Sequence, residues 1–283
     1  VTDMSTTTPM TSSFTVASMD ADGAYYFDDT DEFILASRSN NKVELYDGVS
    51  EAITSAATSL TLGASSTVDF NNAREIAVMG DKVVVTQDQN AANSNTNKLI
   101  VYQKTATGFT LLNSYTVNFK TWGIHLVGNT LYAVADLTAD IVVFENFFAN
   151  ANGAITPTKR VAIEGLVRTH GITYSTSDDT MVLTDVGDAA SNSDGGVIVI
   201  KNFKSTLMST PNMGMIAMNK QIRIYGSATM LGNPVDVAYD SKTKKIYVAE
   251  RLFGGGKVLE FNTPTTNVNA APTSSRDEAG VSS

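Results

Sequence analysis

Cysteine is absent from the 283 residues, which excludes disulfide staples, thiolate metal sites and cysteine nucleophiles. Charge is scarce as well: Asp, Glu, Lys and Arg make up 17% of the chain, against about a quarter in ordinary soluble domains. No apolar run approaches the roughly 18 residues that a membrane-spanning helix needs, so no transmembrane segment is expected. No stretch has the form of a secretory signal either, so an exported protein would be seen here in its processed form. The polar surface comes instead from 82 Ser, Thr and Asn residues. With 20 basic and 29 acidic side chains the net charge is −9. Such a chain repels phosphate backbones, and nucleic acid is not an expected partner.

One pattern recurs along the whole length: an apolar strand, a turn, a second strand, a polar loop and a third strand. The second strands are Glu32 to Ser37 (EFILAS), Lys82 to Gln87 (KVVVTQ), Leu131 to Asp136 (LYAVAD), Thr180 to Asp185 (TMVLTD) and Lys245 to Glu250 (KIYVAE). The third strands are Lys42 to Tyr46, Lys98 to Tyr102, Asp140 to Phe144, Gly196 to Ile200 and Lys257 to Phe261. Val, Ile, Tyr, Phe and Thr dominate these runs and turn residues separate them, which is the strand signature. Fourth strands are fainter, at Ser59 to Leu62, Phe109 to Val117 and Gln221 to Tyr225. Aligning the first strands at Gly23, Glu75, Gly123, Gly171 and Asp236 gives a period of about 50 residues, with Gly280 as the next anchor. Four-stranded units of that length are β-propeller blades.

The expected fold is therefore all-β, a single propeller domain over residues 1–283. It has five continuous blades plus a composite sixth closed by strands from both termini. Val1 to Met4 and Ser13 to Ser18 match its third and fourth strands, and Asp277 to Ser283 its first. Its second strand has no counterpart. Three explanations stay open: a three-stranded blade, missing residues, or a strand from another chain. Closing the ring in this way removes exposed sheet edges.

The motifs Gly-Asn-Pro-Val-Asp-Val-Ala-Tyr-Asp (232–240), Lys-Ile-Tyr-Val-Ala-Glu (245–250) and Arg-Thr-His-Gly-Ile-Thr-Tyr (168–174) resemble blades of NHL and YVTN-type propellers. The details are also similar to secreted bacterial propellers. That superfamily holds protein-binding platforms, surface-layer proteins and calcium-dependent lactonases, so the resemblance implies a fold and no single activity.

In a propeller the loops before the first strands, and those joining second to third strands, converge at the mouth of the central channel. One residue before the anchors stand Asp22, Arg74, Trp122 and His170, and three before stand Asp20, Asn72, Lys120, Arg168 and Asn233. Arg74, Trp122, Arg168 and His170 offer a stacking face, two cations and an imidazole, a set suited to an anionic or sugar ligand. A second set, Asn72, Glu75, Asp185, Asn233 and Asp236, has the oxygen donors that calcium takes. By the resemblance to lactonase propellers, calcium there would polarise an ester or lactone carbonyl, with His170 as proton acceptor. The plainer reading of such side chains is that they cap strand ends and bond backbone amides. The loop from Asp185 to Asp194 is rich in oxygen but lacks the EF-hand spacing and its closing Glu. No serine sits in a Gly-x-Ser-x-Gly elbow, and Gly254-Gly255-Gly256 precedes a strand rather than opening a helix.

Two classes of function remain. One is a non-catalytic extracellular propeller that binds a protein or glycan ligand, or assembles with copies of itself on a bacterial surface. The other is a calcium-dependent lactonase or esterase-type hydrolase. The uncharged polar surface and the missing catalytic motifs favour the first.

Overall fold

The computed structural model describes residues 2–3 and 10–282. Five sheets follow one another along the chain, each with four antiparallel strands running inner to outer, and those of blades 2 and 3 gain a short fifth strand parallel to the outer one, Gly153–Ala154 and Met215–Ile216. Blade 1 comprises Ala21–Phe27, Glu32–Ser37, Lys42–Asp47 and Leu62–Ser65. Blade 2 comprises Ala73–Met79, Lys82–Gln87, Asn97–Thr105 and Gly108–Val117. Blade 3 comprises Thr121–Val127, Thr130–Ala135, Asp140–Phe144 and Lys159–Ile163. Blade 4 comprises Ile172–Ser175, Thr180–Asp185, Gly196–Lys201 and Ile222–Tyr225. Blade 5 comprises Pro234–Asp240, Lys245–Glu250, Lys257–Asn262 and Ser274–Asp277. The inner strands of blades 1 to 5 pack side by side in order. This is a β-propeller with five blades.

The second strands read as near-continuous apolar runs because both their faces are covered. Val83, Val84 and Val85 are all fully buried, as are Met181, Val182 and Leu183. Four apolar clusters join the blades pairwise. Ile34 and Val43 of blade 1 meet Ile76 and Tyr102 of blade 2, and Val84 and Tyr115 of blade 2 meet Ile124 and Phe144 of blade 3. Val134 and Ile141 then meet Met181 and Ile198 of blade 4, and Val182 and Val199 meet Val237 and Val248 of blade 5. The fifth cluster covers blade 1 alone: Leu35, Tyr46 and Leu60 pack with Phe14, Val16 and the short helix Val49–Thr54.

Among the described residues no sixth four-stranded sheet forms. The segment expected to start it is used differently at its beginning. Ser274–Asp277 pairs antiparallel with Lys257–Glu260 as the outer strand of blade 5, which satisfies an edge that would otherwise leave donors and acceptors unpaired. The run Ser-Ser-Arg-Asp carries no apolar alternation, so it has no strand signature in sequence. The outer strand of blade 3, Lys159–Ile163, is the other one that the sequence reading lacked. At the N-terminus Thr2–Asp3 pairs antiparallel with Met10–Thr11, and Thr15 makes a parallel bridge to Ser59; Val1, Met4 and Ser283 lie outside the described residues.

Candidate functional site

The inner strands carry a device that aims side chains at the channel. In blades 1, 2 and 3 the pairing of inner and second strands slips by one residue, between Ala21 and Ala24, Ala73 and Ile76, and Thr121 and Ile124. Each slip is a β-bulge, and bulges re-aim the residues they contain. The bulged pairs are Asp22–Gly23, Arg74–Glu75 and Trp122–Gly123, so the column one residue before the anchors turns toward the channel mouth. Glycine at the anchor lets consecutive inner strands touch: a Cβ on Gly123 would lie 2.2 Å from the His170 carbonyl oxygen, and one on Gly171 2.8 Å from Asp236 Cα.

A backbone hydrogen bond repeats in all five blades and fixes the second column. The N–H groups of Arg38, Asp88, Asp136, Val186 and Arg251 donate to the carbonyls of Asp20, Asn72, Lys120, Arg168 and Asn233, at 2.7 to 3.1 Å. This register corrects one position of the sequence alignment. Ala135, not Asp136, pairs with Thr121 as Gln87 pairs with Ala73. Asp136 is therefore equivalent to Arg38 and Asp88, one step beyond the strand end, where side chains point into the mouth.

The four residues expected to form the ligand site are brought together. The Trp122 and His170 rings stack with centroids 3.7 Å apart and planes 5° from parallel. The Arg74 guanidinium lies 4.3 Å from the Trp122 centroid. Both neighbours are in van der Waals range of one indole, so they occupy its two faces, and three consecutive blades contribute one guanidinium–indole–imidazole stack. Trp122 is half-buried and His170 is 3% exposed.

Carboxylates position this stack. Asp136, buried, accepts from Arg168 Nε at 2.6 Å, Arg168 Nη2 at 3.2 Å and Leu137 N at 2.7 Å, with His170 Nε2 at 3.0 Å and Lys120 Nζ at 3.5 Å. Arg74 bridges Asp22 and Asp88, each at 3.4 Å, and Arg38 joins Asp20, Asp22 and the side-chain Oδ1 of Asn72. Burial raises the Asp136 carboxyl, but hydrogen bonds from His170 and Arg168 outweigh it and hold the group well below the ordinary aspartate range. Burial lowers His170 to about 4 despite Asp136, so the imidazole is neutral at pH 7. Its Nδ1 is buried without a hydrogen-bond partner. Asp88 is pushed up by burial although Lys120 and Arg74 pull it down. Arg38 and Asp88 are members that the column alignment passed over; their signal is the residue immediately after each second strand.

The second expected set does not assemble. Asp185 is spent on its own blade: it accepts from Val167 N, Arg168 N, Gly187 N and Tyr225 Oη. Glu250 does the same for Gly232, Asn233, Leu252 and Phe253. Asn72 is held between Arg38 and the Asp88 carbonyl. Asn233 donates to the Ala189 carbonyl. Glu75 and Asp236 are anchors that break the glycine column, and each carboxylate accepts from the next backbone N–H. Burial, then the charges of Asp236 and Asp22, raise Glu75 well above the ordinary glutamate range. Among the described residues no three His, Cys, Asp or Glu side chains are arranged to hold a metal ion. The residues present do not fit a calcium centre. In the Asp185–Asp194 loop, Asp188 and Asp194 serve turns, accepting from Ala190 N and Asp188 N.

No family model and no curated protein matches the chain. Solved structures do. A functionally unknown protein from Desulfotomaculum acetoxidans superposes with a TM-score of 0.58 at 11% identity, over 93% of this chain and 71% of that one. A candidate 6-phosphogluconolactonase from Bacteroides uniformis gives 0.60 at 14%, over 95% and 74%. A chain of the nidogen/laminin complex gives 0.57 at 11%, over 91% and 80%. What they share with this chain is the propeller fold. At such identities the fold carries no activity across, and the chemistry of the mouth has to be read from this chain's own residues.

Proposed function

We propose that the chain is a non-catalytic binding propeller, one domain over residues 1–283, acting outside the cell on a sugar-bearing or anionic ligand. The ligand enters at the channel mouth and rests against the open edge of the Trp122 stack. The observation that carries this reading is the Arg74–Trp122–His170 stack itself, fixed from both sides by Asp22, Asp88 and Asp136. A flat polarisable edge with guanidinium donors beside it suits a sugar ring carrying an acidic group. Arg38, Arg74, Lys120 and Arg168 are already paired with carboxylates, so a ligand competes for their remaining N–H groups rather than meeting bare charge. The low-charge, Ser/Thr/Asn-rich surface supports an extracellular setting. A hydrolase reading gains nothing from the geometry. His170 is buried beneath Trp122 and its Nε2 is engaged by Asp136.

Trp122 is the only tryptophan, so intrinsic emission reads the site directly. Titration with acidic and neutral oligosaccharides should give a saturable emission change for an acidic member, lost in Arg74→Ala. A full panel without any change, or an unaltered response in Arg74→Ala, overturns the proposal.

A further inference from the structure

Beside the Trp122 stack the mouth holds a second feature. A depression of about 160 Å3 opens between blades 1 and 2, lined by Asp20, Arg38, Asn71, Asn72 and Asn90. All five lining side chains are polar. Asn71 and Asn72 precede the inner strand of blade 2, and Asn90 follows its second strand. The asparagines are held from behind. Asn71 N donates to Gln87 Oε1 at 2.9 Å, Asn71 Nδ2 donates to Asn41 Oδ1 at 3.2 Å, and Asn71 Oδ1 accepts from Asn90 Nδ2 at 2.8 Å. Asn90 caps the short helical turn Ala91–Asn93: its Oδ1 accepts from Asn93 N, and its own N–H donates to Asn93 Oδ1. Asn72 Nδ2 donates to the Asp88 carbonyl at 3.1 Å, and its Oδ1 accepts from Arg38 Nη2 at 3.2 Å. Amides fixed in this way have little freedom left to lose when a ligand arrives.

The bonding capacity left in this wall defines its occupant. A side-chain amide has two N–H donors and an oxygen with two lone pairs. Asn71 and Asn90 each spend one Nδ2 hydrogen inside the wall, and Asn71 Oδ1 spends one lone pair. Donors and an acceptor therefore remain side by side. Arg38 is neutralised: its Nη1 lies 3.4 Å from Asp20 Oδ2 and 3.3 Å from Asp22 Oδ2. An anion in the depression would meet the Asp20 carboxylate and the amide oxygens, and an apolar group would leave the amides unpaired. Hydroxyl groups, which donate and accept at one atom, match the whole lining. The Trp122 edge differs, because Arg74, Arg168 and Lys120 converge there. The two places are close together. Arg74 Nη1 lies 3.4 Å from Asp22 Oδ2, the same atom that Arg38 contacts, and the Arg74 guanidinium covers the Trp122 ring. One glycosidic linkage spans such a step.

We propose that the ligand is an oligosaccharide of two or more residues, with its acidic ring against the Trp122 edge and an uncharged ring in the Asn71–Asn72–Asn90 depression. This rests on the channel-mouth reading above and narrows its ligand class. Joining the two rings makes the second contact intramolecular, so the linked pair binds more tightly than the acidic ring alone. The depression also selects against a chain of acidic rings, since a second carboxylate would face Asp20.

Three probes test this by titration of Trp122 emission in the 283-residue protein: glucuronic acid, a disaccharide of glucuronic acid and a neutral hexose, and a disaccharide of two uronic acids. The mixed disaccharide should bind at least about tenfold more tightly than glucuronic acid, roughly 1.4 kcal/mol. The diacidic one should show no such gain. Asn71→Ala should bring the ratio of mixed disaccharide to glucuronic acid within about twofold. Asp20→Asn, at an exposed side chain, should let the diacidic disaccharide approach the mixed one. Equal binding of glucuronic acid and the mixed disaccharide overturns the proposal, as does an undiminished ratio in Asn71→Ala. Diacidic binding as tight as mixed binding in the parent overturns the uncharged-ring assignment. In each of these cases the acidic ring still binds, and the channel-mouth reading survives. No emission change with any of the three probes overturns that reading and this inference together.

Discussion

Replacing Asp136 by Asn keeps the shape of the side chain and removes the charge on which the mouth converges. In the parent, a side chain with no exposed surface receives two N–H groups of Arg168, the Leu137 amide and His170, with Lys120 close by. Asparagine would turn an NH2 group toward donors. Removing one partner of a buried pair costs about 3–5 kcal/mol. Arg168 and Lys120 are 20% and 30% exposed, so water takes up part of that loss, and about 2–4 kcal/mol is expected. At about 2–4 °C per kcal/mol for a domain of this size, the melting temperature at pH 7 should fall by roughly 4–16 °C. The pH dependence has a definite sign. Asp136 is held well below the ordinary aspartate range, so its contribution is complete above that range, begins to fall as pH drops through it and is lost only as pH approaches the lowered native value. The gap between the two proteins should narrow below about pH 4. Calorimetry at pH 7 and pH 3.5 measures both, and emission should shift because His170 loses the group that seats it under Trp122. A variant that melts within about a degree of the parent at pH 7 refutes the claim that this carboxylate organises the site.

Glu75→Gln should act in the opposite direction. Glu75 is raised by burial and by Asp236 and Asp22, so the folded state loses stability as pH rises from the ordinary glutamate range toward the raised value. The variant should melt above the parent at pH 7.5 and level with it near pH 4; a lower melting temperature at both would contradict the assignment. Val248→Asp places an unpaired carboxylate among Val182, Val237, Ile246 and Leu259, at a cost of several kcal/mol. That approaches the roughly 5–15 kcal/mol of a whole domain, so the cooperative transition at 25 °C should be lost or nearly so in urea titrations. Melting within two degrees of the parent would disprove burial of this strand.

The blades were legible because their second and third strands are buried on both faces, and burial leaves a mark in composition. Lys82–Gln87 and Thr180–Asp185 could hardly be anything but central strands. Outer strands face solvent on one side and answer to their partner's edge more than to their own side chains, so Ser274–Asp277 and Lys159–Ile163 left a weak trace or none. The sixth position shows the same limit. The sequence expects an outer strand of a sixth blade over residues 13–18, and the structure has there only an isolated parallel bridge from Thr15 to Ser59. Asp277, assigned to a first strand, instead ends an outer one, because the open edge of Lys257–Glu260 takes the first segment able to pair with it.

Periodicity reached the site by a different route. Arg74, Trp122 and His170 hold the same place in three consecutive repeats, so the alignment set them together without any account of what binds them to one another. That account lies in the β-bulges, which sequence does not announce at this resolution of reading: one extra residue at Arg74–Glu75 or Trp122–Gly123 decides whether a side chain enters the blade interface or the channel. A similar single step separates Asp136 from Asp185. Both close a strand with the pattern apolar-apolar-small-Asp, yet blade 3 ends its second strand one residue earlier. Asp185 therefore satisfies backbone amides around its own strand end, while Asp136 gathers Arg168, His170 and Lys120 over the channel. The same residue type caps its own strand end in one blade and ties together the cations and imidazole of the Trp122 cluster in its neighbour, and the difference is a hydrogen-bond register that only the folded chain defines.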